Sequence, residues 1–134
     1  MFTAKVYKVM VGSLSGTMEE VYVAKEVIRK WNQEHAEREG KLFLLVDSPM
    51  EDVDVLIGIV GNWIDKPESV LQMVEVGKKV MLFFNAFQDP KNTIPSEMEI
   101  MEKFKERMQA RCLCREYNGF SMLTQVLDEQ LFQF

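Results

Sequence analysis

Histidine and cysteine are scarce in this chain, with one His and two Cys among 134 residues. A structural zinc site takes about four nitrogen or sulfur ligands. His35, on what reads as a charged helix, stands far in sequence from Cys112 and Cys114. No metal is therefore expected, and no serine–histidine–acid arrangement can be assembled. Cys112 and Cys114, one residue apart on an extended segment, should point to the same face. They read as small strand residues. A redox switch would need an activating charge, and none is obvious nearby. Long apolar runs are also missing. The longest, Val55 to Val60, falls well short of the ~20 residues that span a bilayer. Lys5 and Lys8 interrupt the apolar residues near the N-terminus, so no signal-peptide core is visible and a cytoplasmic location is expected. Positive charge is not in excess either. A formal net charge of -5 argues against a nucleic-acid polymer or an anionic membrane as partner.

What is present is the composition of a folded domain, 47% hydrophobic and 28% charged. The length suits a single domain over residues 1–134 with a real core. Strand and helix patterns alternate throughout, without repeats. Lys5 to Val11 reads as a first strand. Thr17 then opens a helix, with Glu20 completing a capping box. Val21, Ala24, Ile28 and Trp31 form its apolar stripe, Glu26 and Lys30 pair on its wet side, and Gly40 caps its end. Lys41 to Val46 is a second strand. Val53 to Val60 is a third, apolar enough to be covered on both faces. A short helix from Asp65-Lys66-Pro67 to Gly77 leads to a fourth strand, Lys79 to Phe84. Ser96 and Glu99 make another capping box, and Met98, Met101, Phe104 and Met108 form the stripe behind it. A fifth strand around Leu113 to Glu116 and a helix from about Ser121 complete the chain.

This alternation predicts an α/β fold, a flavodoxin-like, mostly parallel five-stranded sheet in the order 2-1-3-4-5. One connection is too short for it. Asp47 to Asp52 reach about 20 Å at full stretch, whereas a parallel crossover usually takes a dozen or more residues. Either the second strand is antiparallel or displaced, or the usual helix is missing. The expectation is that the helix between strands 2 and 3 is missing, leaving that face of the sheet bare and favouring a homodimer.

Ligands of open α/β sheets sit at the carboxyl ends of the strands, beside the switch in strand order. That selects two loops. Gly12, Ser13 and Ser15 lie in a small, hydroxyl-bearing turn that feeds a helix N-terminus, where free N–H groups favour an anion. The turn is neither GxGxxG nor a Walker A loop, and a tight strand-to-helix turn needs small residues anyway. The second loop brings Asn62, Trp63, Asp65, Glu68 and Ser69. Trp63 can stack on a base or plug the core. The carboxylates of Asp65 and Glu68 also suit a helix start. Asp52 and Asp54 flank the start of the third strand, at the opposite edge.

The stretch VMVGSLSGTMEEVYVAKEVIRKWN, Val9 to Asn32, resembles the opening of a bacterial family of TIR-like domains. Gly12, Ser13, Ser15, Glu19, Glu20 and the pair Trp31-Asn32 fall in register. DVDVLIGIVGNWID, ESVLQMVEVGKKVMLFF and CLCREYNGFSML resemble the family's later segments, so the likeness covers nearly the whole chain. It implies a relationship to nucleoside 2-deoxyribosyltransferases and NAD-cleaving TIR domains. In those enzymes a glutamate at the start of the helix before the fourth strand acts on the anomeric carbon as an N-glycosidic bond breaks, a role that fits an oxocarbenium-like transition state. Ser69 stands where that glutamate is expected, and Glu68 lies one residue earlier, turned about 100° around the helix. The turn's acidic residue is Gly16 here, and the arginine of the family's turn is Val21.

These departures make the expected function a nucleotide- or partner-binding TIR-like domain with a degraded catalytic site and no cofactor. A nucleotide or nucleoside would lie over Gly12, Ser13 and Ser15, near Asn62, Trp63, Asp65, Glu68 and Ser69. An active N-glycosidase, deoxyribosyltransferase or NAD hydrolase using Glu68 is the alternative, and a purely protein-interacting module is a third.

Overall fold

The computed structural model describes residues 3–14, 17–47, 52–61, 67–86 and 94–134, with the side chains of Pro67 and Ser69 excepted. The chain runs β1 (Lys5–Ser13), α1 (Met18–Glu39), β2 (Lys41–Leu45), β3 (Val55–Val60), α2 (Pro67–Glu75), β4 (Lys79–Asn85), α3 (Pro95–Gln109), β5 (Leu113–Tyr117) and α4 (Gly119–Leu131). All five strands are parallel, in the order β2-β1-β3-β4-β5. The sheet carries α1 and α4 on one face and α2 and α3 on the other, and a hydrophobic core lies on each side. Every residue of β3 is buried, as its unbroken apolar run requires. The stripe Val21, Ala24, Ile28 and Trp31 is buried, and Gly40 closes α1 in the left-handed region at φ 68°.

The short connection is resolved by stagger. β2 pairs with Lys5 to Val9 of β1, whereas β3 pairs with Val9 to Ser13. The end of β2 and the start of β3 therefore meet at the same level, on either side of Val9. The link has to pass one strand, about 10 Å sideways, and need not return along the strand length. β2 is parallel, and among the described residues no helix separates it from β3. Both ends of the link are pinned to β1. Val46 N–H donates to the Val9 carbonyl (3.0 Å) and Asp54 N–H to that of Lys8 (2.9 Å). The Asp54 carboxylate in turn accepts the Lys8 N–H at 2.8 Å, extending the ladder by one rung where β3 has not yet begun. Asp54, which the sequence places only as flanking the start of the third strand, is thus part of the crossover.

Without a helix there, one face of β1 and β2 lies uncovered. Val6 is 48% exposed and Leu44 46%, on the face opposite α1. The outer edge of β2 is closed by a side chain. Asn32 of α1 donates from Nδ2 to the Phe43 carbonyl (2.8 Å) and accepts the Phe43 N–H at Oδ1 (3.0 Å). One amide thus replaces a missing neighbouring strand, which guards an otherwise open edge. At the same end Lys41, buried at the start of β2, donates to the main-chain oxygens of Phe132 (3.0 Å) and Phe134 (2.9 Å), tying down the segment after α4. Trp31, Phe43, Phe132 and Phe134 pack there edge to face.

Several local expectations fail for identifiable reasons. Neither expected capping box forms: Thr17 and the residue before Pro95, Ile94, make no side-chain cap bond. α3 begins at Pro95, whose missing N–H suits a first helical position, so Ser96 lies inside the helix. On the wet face of α1, Glu26 pairs with Arg29 and Lys30 with Glu34 rather than with each other.

Replacing Asn32 by Ala removes two hydrogen bonds from an edge strand and should cost about 2 kcal/mol. That corresponds to a melting point lower by about 7 °C, readable by calorimetry. Asn32→Asp should cost at least as much, because a carboxylate next to the Phe43 carbonyl cannot donate.

Candidate functional site

The strand order reverses between β1 and β3, so the candidate site lies above their carboxyl ends. Gly12 pairs with Gly58 and Ser13 with Ile59 across this boundary. A Cβ built on Gly12 would meet nothing within 4 Å, whereas one on Gly58 would come within 2.8 Å of Leu82 Cδ2 and 3.0 Å of Leu14 Cδ1. The glycine that packing demands is therefore Gly58, under the side chain of Leu14. Gly12 faces open space.

The turn from β1 into α1 is held by a small polar clasp. Thr17 is buried, and its hydroxyl donates to the Ile59 carbonyl at 2.9 Å. Leu14 N–H donates to the same oxygen at 3.0 Å, so the last acceptor of β3 on this side is saturated. Ser13 Oγ accepts the Thr17 N–H at 2.7 Å and lies 2.9 Å from Thr17 Oγ1. Because Thr17 has already given its hydroxyl hydrogen to Ile59, Ser13 must be the donor in that pair. Ser13 then has no hydrogen left for a ligand and keeps only a lone pair. The threonine side chain is thus turned to the sheet edge and makes no bond to the N–H groups of its own helix end.

Electrostatics at this edge are not those of a bare anion site. Glu19 and Glu20 occupy the first turn of α1 and Glu68 that of α2, where they already complement the helix dipoles. Glu68 is exposed to solvent. Ser15, Asn62, Trp63 and Asp65 lie outside the described residues, as does the side chain of Ser69. Among the described residues, no group of three or more His, Cys, Asp or Glu gathers in a way that could hold a metal ion. His35, at the far end of α1, packs its ring 4.7 Å from Phe132 and 5.4 Å from Trp31, away from this edge.

One residue at the edge escaped the sequence reading. Tyr117, the last residue of β5, is buried, and its hydroxyl has no hydrogen-bond partner among the described residues. Burial, and then the negative charge of Glu20, push its phenol well above the usual range. It is thus a neutral O–H held beneath the first turn of α1. The available signal was the alternation Leu113, Arg115, Tyr117, which carries an inward-facing phenol to the ligand end of a strand.

Thr17→Val keeps the shape but removes the clasp. It leaves the Ser13 hydroxyl without its acceptor and should destabilise the domain by about 1–2 kcal/mol. Ser13→Ala should cost a similar amount, since it leaves the Thr17 N–H without its acceptor. Urea denaturation curves of the two variants and the wild type check both outcomes.

No family profile matches the chain, and no curated protein matches it. Solved structures do. A de novo designed Rossmann 2x3 fold protein, determined by solution NMR, superposes with a TM-score of 0.51 at 16% identity, over 95% of this chain and 90% of that one. A homoserine dehydrogenase of S. aureus superposes with a TM-score of 0.48 at 9% identity, over 84% of this chain and 33% of the enzyme's. At these identities the likeness speaks for the fold alone. The chain has a Rossmann-like α/β fold with the flavodoxin strand order.

Proposed function

We propose that this chain is a TIR-like binding module that kept the architecture of the nucleoside deoxyribosyltransferase and TIR group and lost glycosidic chemistry. The observation that carries the reading is the exposure of Glu68. A carboxylate that attacks or stabilises an anomeric carbon acts from a water-excluded pocket, where its charge is not screened. Glu68 stands instead in the open first turn of α2, and the clasp residues Ser13 and Thr17 are committed to their own backbone. The ligand class that suits the edge is a nucleotide or nucleoside lying over Gly12. With Glu19, Glu20 and Glu68 around it, contact through sugar hydroxyls and base is favoured over contact through phosphate alone.

A second reading, association through the β1–β2 face, is favoured by the exposure of Val6 and Leu44. Two copies covering this face would bury the apolar side chains that no helix covers among the described residues. The two readings are compatible, since the face and the switch edge are different surfaces.

Thermal-shift measurements against NAD, ADP-ribose, nucleoside monophosphates and free deoxynucleosides test the first reading. A ligand at about 100 times its dissociation constant should add about 2.7 kcal/mol, a rise of several degrees. Glu68→Gln should keep that rise, and no base or nicotinamide should be released by either protein. Release that depends on Glu68 would replace this reading with an active glycosidase. For the second reading, Leu44→Glu should turn a dimer into a monomer in sedimentation velocity, and a wild-type chain that sediments as a monomer at high concentration removes it.

A further inference from the structure

The two cysteines lie at the start of β5, the lateral edge strand, two strands away from the switch between β1 and β3. Cys112 occupies the bend between α3 and β5, its N–H donating to the Met108 carbonyl at 2.9 Å, and Cys114 follows within β5. Both are free thiols, half-buried, and pack on the α2–α3 side of the sheet. Strand alternation puts Glu116 on that same face. Lys105, reaching down from α3, forms an ion pair with Glu116 and lies 5.6 Å over the Phe84 ring. Its side chain is 20% exposed, so the ammonium is held against Glu116 on the face that Cys114 shares. The sequence showed no activating charge near the cysteines because Lys105 arrives from another element. Beside Cys112 opens a cleft of about 320 Å³, lined by Gly77, Val80, Arg111 and Leu113 among others.

We propose that Cys112 and Cys114 form a dithiol–disulfide exchange site for a low-molecular-weight disulfide bearing carboxylates, one of which docks beside Arg111 in the cleft that Cys112 lines. Cys114 is the attacking sulfur. The Cys112 S–H donates to it, and the Lys105 ammonium adds to that effect. Together they draw the Cys114 thiol below the ordinary range against the opposing effect of burial. Cys112, as the donor and partly buried, is pushed up. The Cys114 thiolate attacks one sulfur of the substrate disulfide, forming a mixed disulfide and releasing one thiolate. Cys112 passes its proton to that thiolate and attacks Cys114 Sγ, which closes the Cys112–Cys114 bond and releases the second thiolate. The pair loses two electrons and the substrate disulfide gains them. Same-face residues of an extended strand hold their Cβ atoms about 6–7 Å apart, more than the ~4 Å a disulfide allows, so closing the ring requires the bend at Cys112 to swing toward Cys114. The closed form is therefore the labile kind, readily reduced again.

The test uses reduced, folded protein and oxidised glutathione, read by intact mass and thiol titration. Wild type should lose both thiols without retaining glutathione. Cys112→Ser should trap one glutathione on Cys114, and Cys114→Ser should react at least ~10-fold more slowly at neutral pH. Lys105→Met should move the pH profile of Cys114 alkylation upward, and Lys105→Arg should restore it, a pattern that a packing role alone would not produce. Circular dichroism confirms that each variant is folded. Equal alkylation rates with an ordinary thiol profile for both cysteines would overturn the proposal. So would a wild type that carries glutathione on each cysteine without closing the ring.

Discussion

Nine residues, 46–54, join β2 to β3 across β1, and the architecture depends on how that span is closed. If both strands ran the full length of β1, the link would have to cross one strand and also descend the sheet. Instead β2 holds the lower half of β1 and β3 the upper half, and the two registers meet at Val9. The hydrogen bonds at Val9 and Lys8 fix both ends of the crossing. Everything on that side follows from this constraint. Among the described residues no helix covers the outer face, Val6 and Leu44 remain in water, and the short β2 needs Asn32 to occupy its free edge. The Trp31-Asn32 pair therefore has a structural meaning, one residue buried in the core and the next closing a strand.

Polar groups at the switch edge are largely turned inward. Thr17 and Leu14 both donate to the Ile59 carbonyl, and Ser13 serves Thr17. A hydroxyl-bearing turn after the first strand reads equally well as a ligand cradle or as a self-contained turn, because the residue types are the same. Only the direction of each O–H decides, and it is set by which buried carbonyl lacks a partner. At this edge that carbonyl belongs to β3, 42 positions away in sequence.

Strand existence and order were legible from periodicity because burial imposes them, whereas the direction of the second strand was left open by its short connection. β3 is apolar on both faces since helices cover both, and the α1 stripe appears because one face packs on the sheet. The missing helix was legible too, from length alone. The stagger that makes its absence possible was not, because register is a relation between two segments. Capping boxes failed for the same kind of reason: Thr17 found a tertiary acceptor, and Pro95 fixed the start of α3 before Ser96. Within the candidate site, the place at the sheet edge could be read from topology. The Tyr117 hydroxyl, unpartnered among the described residues, and the open position of Glu68 depend on packing between elements, which no spacing rule encodes.

Position within the sheet separates the chain's two sets of polar chemistry. Carboxylates gather at the carboxyl ends of the strands, on the first turns of α1 and α2, where the macrodipole favours them whether or not a ligand comes. The thiols stand at the amino end of β5, where the last turn of α3 brings in Arg107 and the bend after it Arg111, and where Lys105 is held down by Glu116. Positive charge near a helix C-terminus is as ordinary as negative charge near an N-terminus. What is not explained by the dipole is the placing of two free thiols side by side beneath such a cation, on an edge strand with a cleft next to them. Apolar residues of similar size would fill the space under α3 equally well and would not be exposed to oxidation. The arrangement therefore gives the amino edge of β5 a chemical character that the fold itself does not require.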